Sequence, residues 1–523
     1  MMSAEQAVRL VADGDTISIS GVIGFICPDA VLRALGDRFG LEGHPAGLTV
    51  LNPVAVGDVY DIPGTDHLAR PGMVKRVIAG SYVIGTSPRT GKRAELVQRI
   101  LAGEVEAYNF PIGALMGVLR EIGAGRSGFL TEVGLGTFVD PRMGGGKLND
   151  VTREDLVEVV QFRGREHLFY PSFPVNVAII RGTTADEFGN ITLEHEGMLN
   201  GVLNHALAAH ASGGKVIAQV KRIAIAGSLH PQMVRVPGVL VDAIVVDERQ
   251  QQGTGMDFDP RVCGEVRSPV TDVPRLQLGT DKVICRRALR ELSENQLVIL
   301  GFGVPASVTS VAMEEGVFDR LTFMVEHGAI GGVPLTGFQF GVSANPEILL
   351  DTPSQFDLID GGAVDAACLA FGEVDRWGSV NVSKLANLIP GCGGFIDIVH
   401  RARLLVFCGL FSAGGAEVSV EDGSVRIRRE GRYCKFVSQL QHLTMDGHSL
   451  LARGQRAIFI TERAVFELGD DGLVLTEIAP GIDVERDVLS LMQFRVKVLE
   501  PLRVMDAALF RPERVGIRLG RRL

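Results

Sequence analysis

The sequence predicts an α/β fold made of two related open domains, each with a mostly parallel sheet flanked by helices, and a candidate ligand site between them. Three observations predict this architecture. Short β-branched runs alternate with segments of helical periodicity, a pattern typical of parallel sheets. The same order of elements recurs in the second half of the chain. Glycine is frequent, at 64 of 523 residues, and suits many tight turns around a ligand.

Each half opens with a strand, a glycine-rich turn and a helix. In the first half, the pattern predicts a strand at Thr16–Ser20, a turn at Gly21–Phe25 and a helix over Pro28–Leu35, where proline suits the first helical turn. In the second half, Val298–Leu300 is the predicted strand, and the sequence GFGVP separates it from a helix running from 306 towards 315. The plan is therefore the same in both halves.

Two further features follow in the same order in each half. A strand ends in a glycine-rich loop at Gly134 and again at Glu326. An acidic turn then enters a strand at Asp186 and again at Asp375, at nearly the same distance from the loop. The repeat predicts that Gly134 and Glu326 occupy equivalent positions, and that the first half carries a large insertion before its loop.

The repeat also predicts where the two domains meet. We expect an N-terminal domain over residues 1–270 and a C-terminal domain over residues 280–523. The boundary is predicted near residues 266–282, because three turn-forming residues interrupt the chain there: Pro269, Pro274 and Gly279.

Composition and charge exclude several classes of protein. Lys and Arg number 52 against 62 Asp and Glu, a net charge of −10 without a long basic run, which argues against a nucleic-acid partner or a polybasic membrane-surface protein. The seven Cys form no CxxC pair, which argues against a disulfide framework or a zinc ribbon. The N-terminus lacks an apolar run of signal-peptide length, and the uncharged stretch Leu297–Met313 contains glycine and proline. We expect a soluble, cytoplasmic protein with no membrane partner.

A carboxylate stands where α/β proteins bind ligands. Glu326 directly follows the apolar run Phe323–Val325, and glycines follow at Gly328 and Gly331. Ligands of open α/β sheets bind at the carboxyl ends of the strands. Glu326 is therefore the candidate reactive group. The structural alternative is that it caps a turn or pairs with a nearby Lys or Arg.

The loop before Glu326 allows a second interpretation. The segment from Gly301 to Ala306 matches G-x-G-x-x-A after a strand, and Glu326 lies close to where a dinucleotide-binding fold places its ribose-binding acid. Pro305 is unusual in such a turn, and Gly21–Gly24 in the first half has no G-x-G. An NAD(P)-dependent dehydrogenase stays open as an alternative.

Six segments resemble the family I CoA-transferases. Three are VEHGAIGG (325–332), IPGCGGFIDI (389–398) and TEIAPGIDVERDVL (476–489); the others span 108–142, 181–194 and 345–385. The resemblance extends from residue 15 to about 495. It is strongest to the fused single-chain acetate/propionate CoA-transferases, in which the α and β subunits form one polypeptide. It implies an α-subunit-like N-terminal domain, a β-subunit-like C-terminal domain and an active site between them.

The resemblance implies covalent chemistry on Glu326. In that family a glutamate attacks an acyl-CoA thioester, giving an acyl-glutamyl anhydride and CoA thiolate. The thiolate returns to leave a glutamyl-CoA thioester, and a second carboxylic acid reverses the sequence. A carboxylate that is ionised at pH 7 needs no general base, and a thiol is a good leaving group. CoA is then a co-substrate, and we expect neither a permanently bound cofactor nor a metal.

The resemblance also implies supporting roles. The backbone N–H groups of Gly393 and Gly394 are expected to form an oxyanion hole. CoA is expected to contact glycine-rich turns and two polar side chains: Gly301, Gly303, Gly361, Gly362, Gly391, Asn381 and Lys384. The acyl pocket is expected at Val22, Ile23, Gly24, Phe25 and Ile112. Ile112 departs from the family pattern, because many members have Gln there and Ile cannot donate a hydrogen bond.

Several alternatives stay open. In an acyl-CoA hydrolase on the same fold, water would intercept the covalent intermediate, and a non-catalytic CoA-binding or assembly subunit would not need Glu326. His327 is expected to point away from Glu326, because neighbours along a strand alternate. Phe395–Ile398 is expected to be a strand after a tight turn. The substrates are an acyl-CoA and a short-chain carboxylic acid of undetermined identity, and the resemblance implies a homodimer or homotetramer.

Overall fold

The first half of the chain forms an all-parallel sheet of seven strands. The computed structural model describes residues 1–269 and 275–521. The order across the first sheet is β7-β6-β5-β1-β2-β3-β4. Most of its residues are buried, as expected for a parallel sheet covered on both faces. In chain order its strands are β1 (Thr16–Ile19), β2 (Leu48–Asn52), β3 (Val74–Ala79), β4 (Glu106–Asn109), β5 (Val177–Arg181), β6 (Lys215–Val220) and β7 (Ala243–Val246).

The second half forms a sheet of ten strands with a parallel centre. Across it the order is β11-β10-β9-β8-β12-β13-β14-β15-β16-β17, and the five strands from β9 to β14 in that order are mutually parallel. The outer strands are mostly antiparallel. In chain order the strands are β8 (Leu297–Leu300), β9 (Thr322–Met324), β10 (Ala329–Ile330), β11 (Ile348–Leu349), β12 (Ala366–Leu369), β13 (Leu404–Cys408), β14 (Arg456–Ile460), β15 (Ala464–Gly469), β16 (Gly472–Ile478) and β17 (Lys497–Val504).

The two sheets repeat one strand order, which confirms the predicted fold class. The run β7-β6-β5-β1-β2 in the first sheet recurs as β14-β13-β12-β8-β9 in the second. The acidic turns are also equivalent: the Asp186 carboxylate accepts from the backbone N–H of residues 188 and 190, and that of Asp375 from residues 377 and 379. The predicted ranges 1–270 and 280–523 stay a prediction, and part of the predicted boundary, including Pro274, lies outside the described residues.

The predicted equivalence of Gly134 and Glu326 is wrong. Glu326 follows β9, whose counterpart in the first sheet is β2. Gly134 instead follows Gly128–Thr131, which belongs to a separate three-stranded antiparallel sheet with Glu158–Phe162 and Arg165–Pro171. The two loops share a glycine-rich composition because both turn tightly, and that composition does not identify the strand that precedes them.

The predicted helices are present with shifted ends. Asp29–Glu42 continues past the predicted Leu35 and ends at Gly43, whose φ is +74°. In the second half, a 3₁₀ turn at Val304–Ser307 precedes the helix Val308–Glu315. The other α-helices of the described residues are Ala4–Ala7, Glu95–Leu101, Ile112–Gly123, Val202–Ala211, Thr280–Leu289, Thr352–Asp360, Phe395–Arg401, Gly447–Ala452 and Val484–Asp487. None of the helices described is long and apolar enough to cross a membrane.

A glycine-rich loop of the second half is held by the first half. The backbone N–H of Gly393 donates to Gly80 O at 2.8 Å, and that of Cys392 donates to Asn109 Oδ1 at 2.8 Å. In return, Tyr82 N donates to Pro390 O at 3.0 Å. Gly80 and Asn109 stand at the carboxyl ends of β3 and β4. These contacts bring the carboxyl edge of the first sheet up to the second half and position the site.

Candidate active site

Glu326 lies in a tight turn just beyond β9. Val325 N donates to Ala329 O at 3.1 Å and closes the turn. Gly328 has φ +125°, and a Cβ there would clash with the backbone oxygen of Leu350, so the turn requires glycine. The Glu326 side chain is 20% exposed. The turn therefore presents the carboxylate at the carboxyl edge of the second sheet, as the sequence predicts.

The Glu326 carboxylate has two polar neighbours. The backbone N–H of Gly394 lies close enough to favour its ionised form, and its Oε1 lies 3.4 Å from His327 Nε2. The expectation that His327 points away is wrong, because β9 ends at Met324 and the two residues belong to a turn rather than to a strand. Among the described residues Glu326 pairs with no Lys or Arg, so the ion-pair alternative has no support.

The segment after the glycine loop is a helix, not the predicted strand. Phe395–Arg401 is helical, with Gly394 as its N-cap residue. Gly393, at φ +54°, turns the chain into the helix. The Gly394 N–H that faces Glu326 therefore belongs to the first turn of a helix, where backbone donors lack partners within the helix.

Burial sets the protonation states of the pair. It raises the pKa of Glu326 from 4.5 to about 7, against the opposing effect of the Gly394 backbone N–H. Burial lowers the pKa of His327 to about 4, so the imidazole is neutral at pH 7. Burial therefore disfavours the ionised form of Glu326, which is the form expected to attack a thioester.

Glu326 opens into a cavity of about 430 Å³ between the two halves. Most of the lining is apolar. The first half contributes Val22, Ile23, Val54, Ala55, Gly57, Asp58, Ser81, Tyr82, Val83 and Ile84. The second half contributes Gly301, Phe302, His327, Gly337, Phe338, Phe340, Leu369, Ala370, Phe371, Gly372, Val382, Leu385, Pro390, Gly391, Cys392, Gly394, Phe395 and Ile398. The position between the halves agrees with the predicted architecture.

Five predicted site residues share this cavity with Glu326: Val22, Ile23, Gly301, Gly391 and Gly394. Ile23 is held in an unusual backbone conformation, with φ +52°. Its N–H donates to Ala55 O at 2.6 Å, and its carbonyl accepts from Gly57 N at 2.7 Å. A β-branched residue in the left-handed region costs roughly 1–3 kcal/mol. These two hydrogen bonds hold that conformation at the cavity wall.

The other predicted residues of the acyl pocket do not line the cavity. Phe25 is fully buried and packs against Gly253, and Gly24 lies against Thr254. Ile112 is also fully buried, and its backbone N–H donates to Gly393 O at 3.1 Å. Ile112 therefore supports the glycine loop through its backbone. Its side chain belongs to the hydrophobic core.

The remaining predicted CoA contacts also lie off the cavity. Asn381 is buried and donates to Glu373 Oε2 at 2.7 Å, and Lys384 Nζ donates to Leu148 O at 2.9 Å. The other three are turn glycines: Gly303 before the Val304–Ser307 turn, and Gly361 and Gly362 after the helix Thr352–Asp360. Their contact with CoA stays a prediction.

The oxyanion-hole role of Gly393 stays a prediction, and its backbone N–H has another partner in this structure. Its N–H is already bonded to Gly80 O. The neighbouring N–H groups of Gly391 and Cys392 are likewise bonded, to Ser383 O and Asn109 Oδ1. Gly394 is the residue of this loop whose N–H faces Glu326. Glycine spacing alone gave no signal that separates these donors.

Sequence reasoning also missed the aromatic residues of the cavity. Tyr82, Phe302, Phe338, Phe340, Phe371 and Phe395 all line it. They come from five separate segments, with Phe338 and Phe340 in one loop, so no periodicity or spacing connects the segments. Among the described residues, no group of three or more His, Cys, Asp and Glu side chains is arranged to hold a metal ion.

Comparison with known proteins identifies the family. The coenzyme A transferase family model matches residues 1–247. The chain is 40% identical over 517 residues to the caffeate CoA-transferase of Acetobacterium woodii, with 97% of each chain covered. The chain belongs to the coenzyme A transferase family. This CoA-transferase is also 39% identical over 512 residues to the acetate CoA-transferase YdiF of Escherichia coli (strain K12), covering 98% of this chain and 95% of that one.

A solved structure supports the same assignment. The CoA-transferase matches the crystal structure of the acyl-CoA transferase YdiF from E. coli O157:H7, in thioester complex with CoA, with a TM-score of 0.92 and 37% identity. The match covers 100% of this chain and 98% of that chain. The predicted family and the CoA-transferase activity are confirmed, with CoA as co-substrate. The dehydrogenase interpretation of the loop at Gly301 is therefore not supported.

Proposed function

We propose that this CoA-transferase moves CoA from an acyl-CoA to a carboxylic acid by a ping-pong reaction, through a glutamyl-CoA thioester on Glu326. The observation that carries the proposal is the Glu326 carboxylate itself, which faces the cavity between the two halves beside the backbone N–H of Gly394. The relative of known structure that was solved as a thioester complex with CoA is consistent with such an intermediate.

The reaction needs two exchanges at the same carboxyl group. An Oε atom of ionised Glu326 attacks the thioester carbonyl, the C–S bond breaks, and CoA leaves as thiolate from an acyl-glutamyl anhydride. The thiolate then attacks the glutamyl carbonyl, which forms the glutamyl-CoA thioester and releases the first acid as carboxylate. A second carboxylate repeats these steps in reverse order. No proton is gained or lost overall, and the thioester free energy is retained.

Gly394 and His327 hold the reacting carboxyl group. When the thiolate attacks the glutamyl carbonyl, negative charge develops on the oxygen that faces the Gly394 N–H. One such donor stabilises an oxyanion by roughly 3–4 kcal/mol. Neutral His327 stands beside the carboxylate, with its Nε2 3.4 Å from Oε1 of Glu326. The apolar lining limits the access of water to both intermediates.

The proposal is tested by intact-mass analysis of the enzyme after incubation with acetyl-CoA. We expect a mass gain of one CoA less one water, mapped to the peptide with Glu326. The adduct should disappear when propanoate is added, with release of propanoyl-CoA. Glu326→Gln should give no adduct. Steady release of free CoA, with no adduct and no propanoyl-CoA, would indicate a hydrolase instead, and an adduct on another residue would refute the role of Glu326.

The predicted homodimer or homotetramer and the cytoplasmic location stay predictions from the sequence. Analytical ultracentrifugation of the purified enzyme would measure the first. A dimer has about twice the 56.1 kDa mass of the chain, and a tetramer about four times that mass.

A further inference from the structure

We infer that the first half carries a second ligand site, separate from the catalytic cavity, which binds a small molecule with phosphate groups and a vicinal diol, as a nucleotide has. The inference goes beyond the proposed function and does not depend on Glu326. Three observations carry it: a polar cavity at the carboxyl edge of the first sheet, two guanidinium groups in its lining that have no partner, and one carboxylate in the same lining that has no cation.

The second cavity has a volume of about 540 Å³ and lies at the carboxyl ends of β5, β6 and β7. Arg181 ends β5, Gln219 lies in β6, and Asp247 directly follows β7. Open α/β sheets bind ligands at this edge, and volumes of about 300–1,000 Å³ are typical of small-molecule sites. Most of the lining consists of charged and amide side chains, unlike that of the catalytic cavity.

The two cavities are neighbours that share no lining residue among those described. Residues 57–62 form one short segment that reaches both of them. Asp58 of this segment lines the catalytic cavity, whereas Asp61 and Ile62 line the second one. A ligand in the second cavity would therefore occupy space that the catalytic cavity does not include.

Four arginines line the second cavity: Arg33, Arg89, Arg181 and Arg249. Two of them already have acidic partners. Arg89 pairs with Asp61 at 2.8 Å, and Arg181 pairs with the buried Glu196 at 3.0 Å. The charges of these two arginines are therefore compensated within the fold.

The other two arginines are free to bind an anion. Among the described residues, the guanidinium groups of Arg33 and Arg249 make no ion pair and no hydrogen bond. Each offers a planar fork of N–H donors that matches the geometry of a phosphate group. The start of the helix Asp29–Glu42 does not add to these donors, because Ala30 N already donates to Gln219 Oε1 at 3.0 Å.

Another cavity of the same protein shows that the number of arginines is not the signal. It has a volume of about 490 Å³, and four arginines line it: Arg426, Arg428, Arg429 and Arg486. Each of these four pairs with an Asp or Glu side chain, as Arg428 does with Glu421 at 2.5 Å. The second cavity differs because two of its guanidinium groups lack such partners.

The acidic side chains of the second cavity leave one carboxylate for hydroxyl groups. Asp29 accepts from Gly64 N at 2.8 Å and lies 3.2 Å from His67 Nε2. Asp247 makes no ion pair among the described residues, and its Oδ1 accepts only from the backbone N–H of Arg249, at 3.2 Å. A carboxylate at this edge of a sheet can accept hydrogen bonds from ribose hydroxyls. Two free cations and one free carboxylate therefore suit a ligand that combines phosphate groups with a diol.

The test is isothermal titration calorimetry of the full-length enzyme with ADP. We expect ADP to bind. Arg33→Gln and Arg249→Gln should each weaken its binding by about tenfold or more, because each removes charged hydrogen bonds to phosphate. Arg428→Gln is the matched control, since it changes a paired arginine of the other cavity, and it should bind ADP as the wild type does.

Inorganic pyrophosphate, titrated in parallel, separates the phosphate groups from the nucleoside. Asp247→Ala should weaken the binding of ADP by about tenfold, because a hydrogen bond to a charged group is lost. The same variant should not weaken the binding of pyrophosphate, which has no diol. Equal losses for the two ligands, or binding of pyrophosphate alone, would overturn the assignment of a nucleotide.

The remaining outcomes decide whether the site exists and is separate. Absence of ADP binding at millimolar concentration, or equal ADP affinity in Arg249→Gln and the wild type, would overturn the inference. The KM for acetyl-CoA is measured in the same variants, and a rise that matches the loss of ADP affinity would show that these arginines bind CoA itself, which would also overturn it. Glu326→Gln should bind ADP as the wild type does, so failure of the proposed function and failure of this inference are distinguishable.

Discussion

Replacing Glu326 by Gln is expected to stabilise the folded protein while it abolishes activity. Burial raises the pKa of this carboxyl group from 4.5 to about 7. Folding therefore favours its protonated form. The stabilisation from that proton is complete below about pH 4.5 and is lost as the pH rises through about 7. Two and a half pH units at 1.36 kcal/mol each amount to about 3 kcal/mol. Glutamine has the same shape and no charge at any pH.

The gain in stability should therefore depend on pH. Thermal unfolding of the wild-type enzyme and Glu326→Gln would be followed from pH 5 to pH 8. At pH 8 we expect the variant to be more stable by about 3 kcal/mol, or roughly 6 °C in Tm for unfolding units of this size. At pH 5 the difference should fall to about 1 kcal/mol or less. Glu248→Gln, at an exposed turn, is the control and should show no such trend. A Tm difference that is constant with pH, or a variant less stable at pH 8, would refute the reasoning.

Three further predictions follow from the same geometry. The rate of glutamyl-adduct formation, measured by quenched flow, should rise about tenfold from pH 6 to pH 8, because only the ionised form of Glu326 attacks the thioester. A rate that does not change with pH would contradict this prediction. Gly394→Ala should block adduct formation, because the new Cβ would clash with Glu326 Oε2. Gly279→Ala is the control, because a Cβ at Gly279 meets no atom within 4 Å, and it should leave adduct formation unchanged. Equal adduct yields in the two variants would contradict the assigned position of Gly394. Arg181→Met should destabilise the protein by roughly 3–5 kcal/mol, because it leaves the buried Glu196 charge, 3.0 Å away, without its partner. In a double-mutant cycle followed by thermal unfolding, adding Glu196→Gln to Arg181→Met should recover most of the lost stability. Strictly additive losses of stability would contradict this prediction.

Local sequence patterns predicted the fold class and the position of Glu326 at the carboxyl edge of the second sheet. The runs at Thr16 and Val298 are short, β-branched and followed by glycine, so strand and turn are specified within a few residues. Glu326 was found because an acid directly after a buried strand must lie at the carboxyl edge of a parallel sheet. Both inferences depend only on residues that are neighbours in the sequence, so one amino-acid sequence was sufficient to make them.

The errors concern features that tertiary contacts decide. Phe395–Ile398 is as apolar as a strand, but Gly393 and Gly394 turn it into a helix that packs between the halves. The sequence does not distinguish Gly393 from Gly394. They differ because the backbone N–H of Gly393 donates to the carbonyl of Gly80, some 300 residues earlier in the chain. The exact end of β9 likewise decides whether His327 points towards Glu326 or away from it.

The asymmetry between the two halves has a physical reason. Both sheets present their carboxyl edges to one cavity; the second edge carries Glu326, the proposed nucleophile, and the first supplies backbone acceptors and mostly apolar side chains. A second carboxylate beside Glu326 would raise its pKa further and reduce the ionised fraction available to attack. The same apolar lining lowers the stability of the folded protein at high pH, because it buries the ionised Glu326, and it limits the access of water to the proposed thioester. Stability and pH dependence therefore both depend on a single property, the burial of the Glu326 carboxylate without a cation.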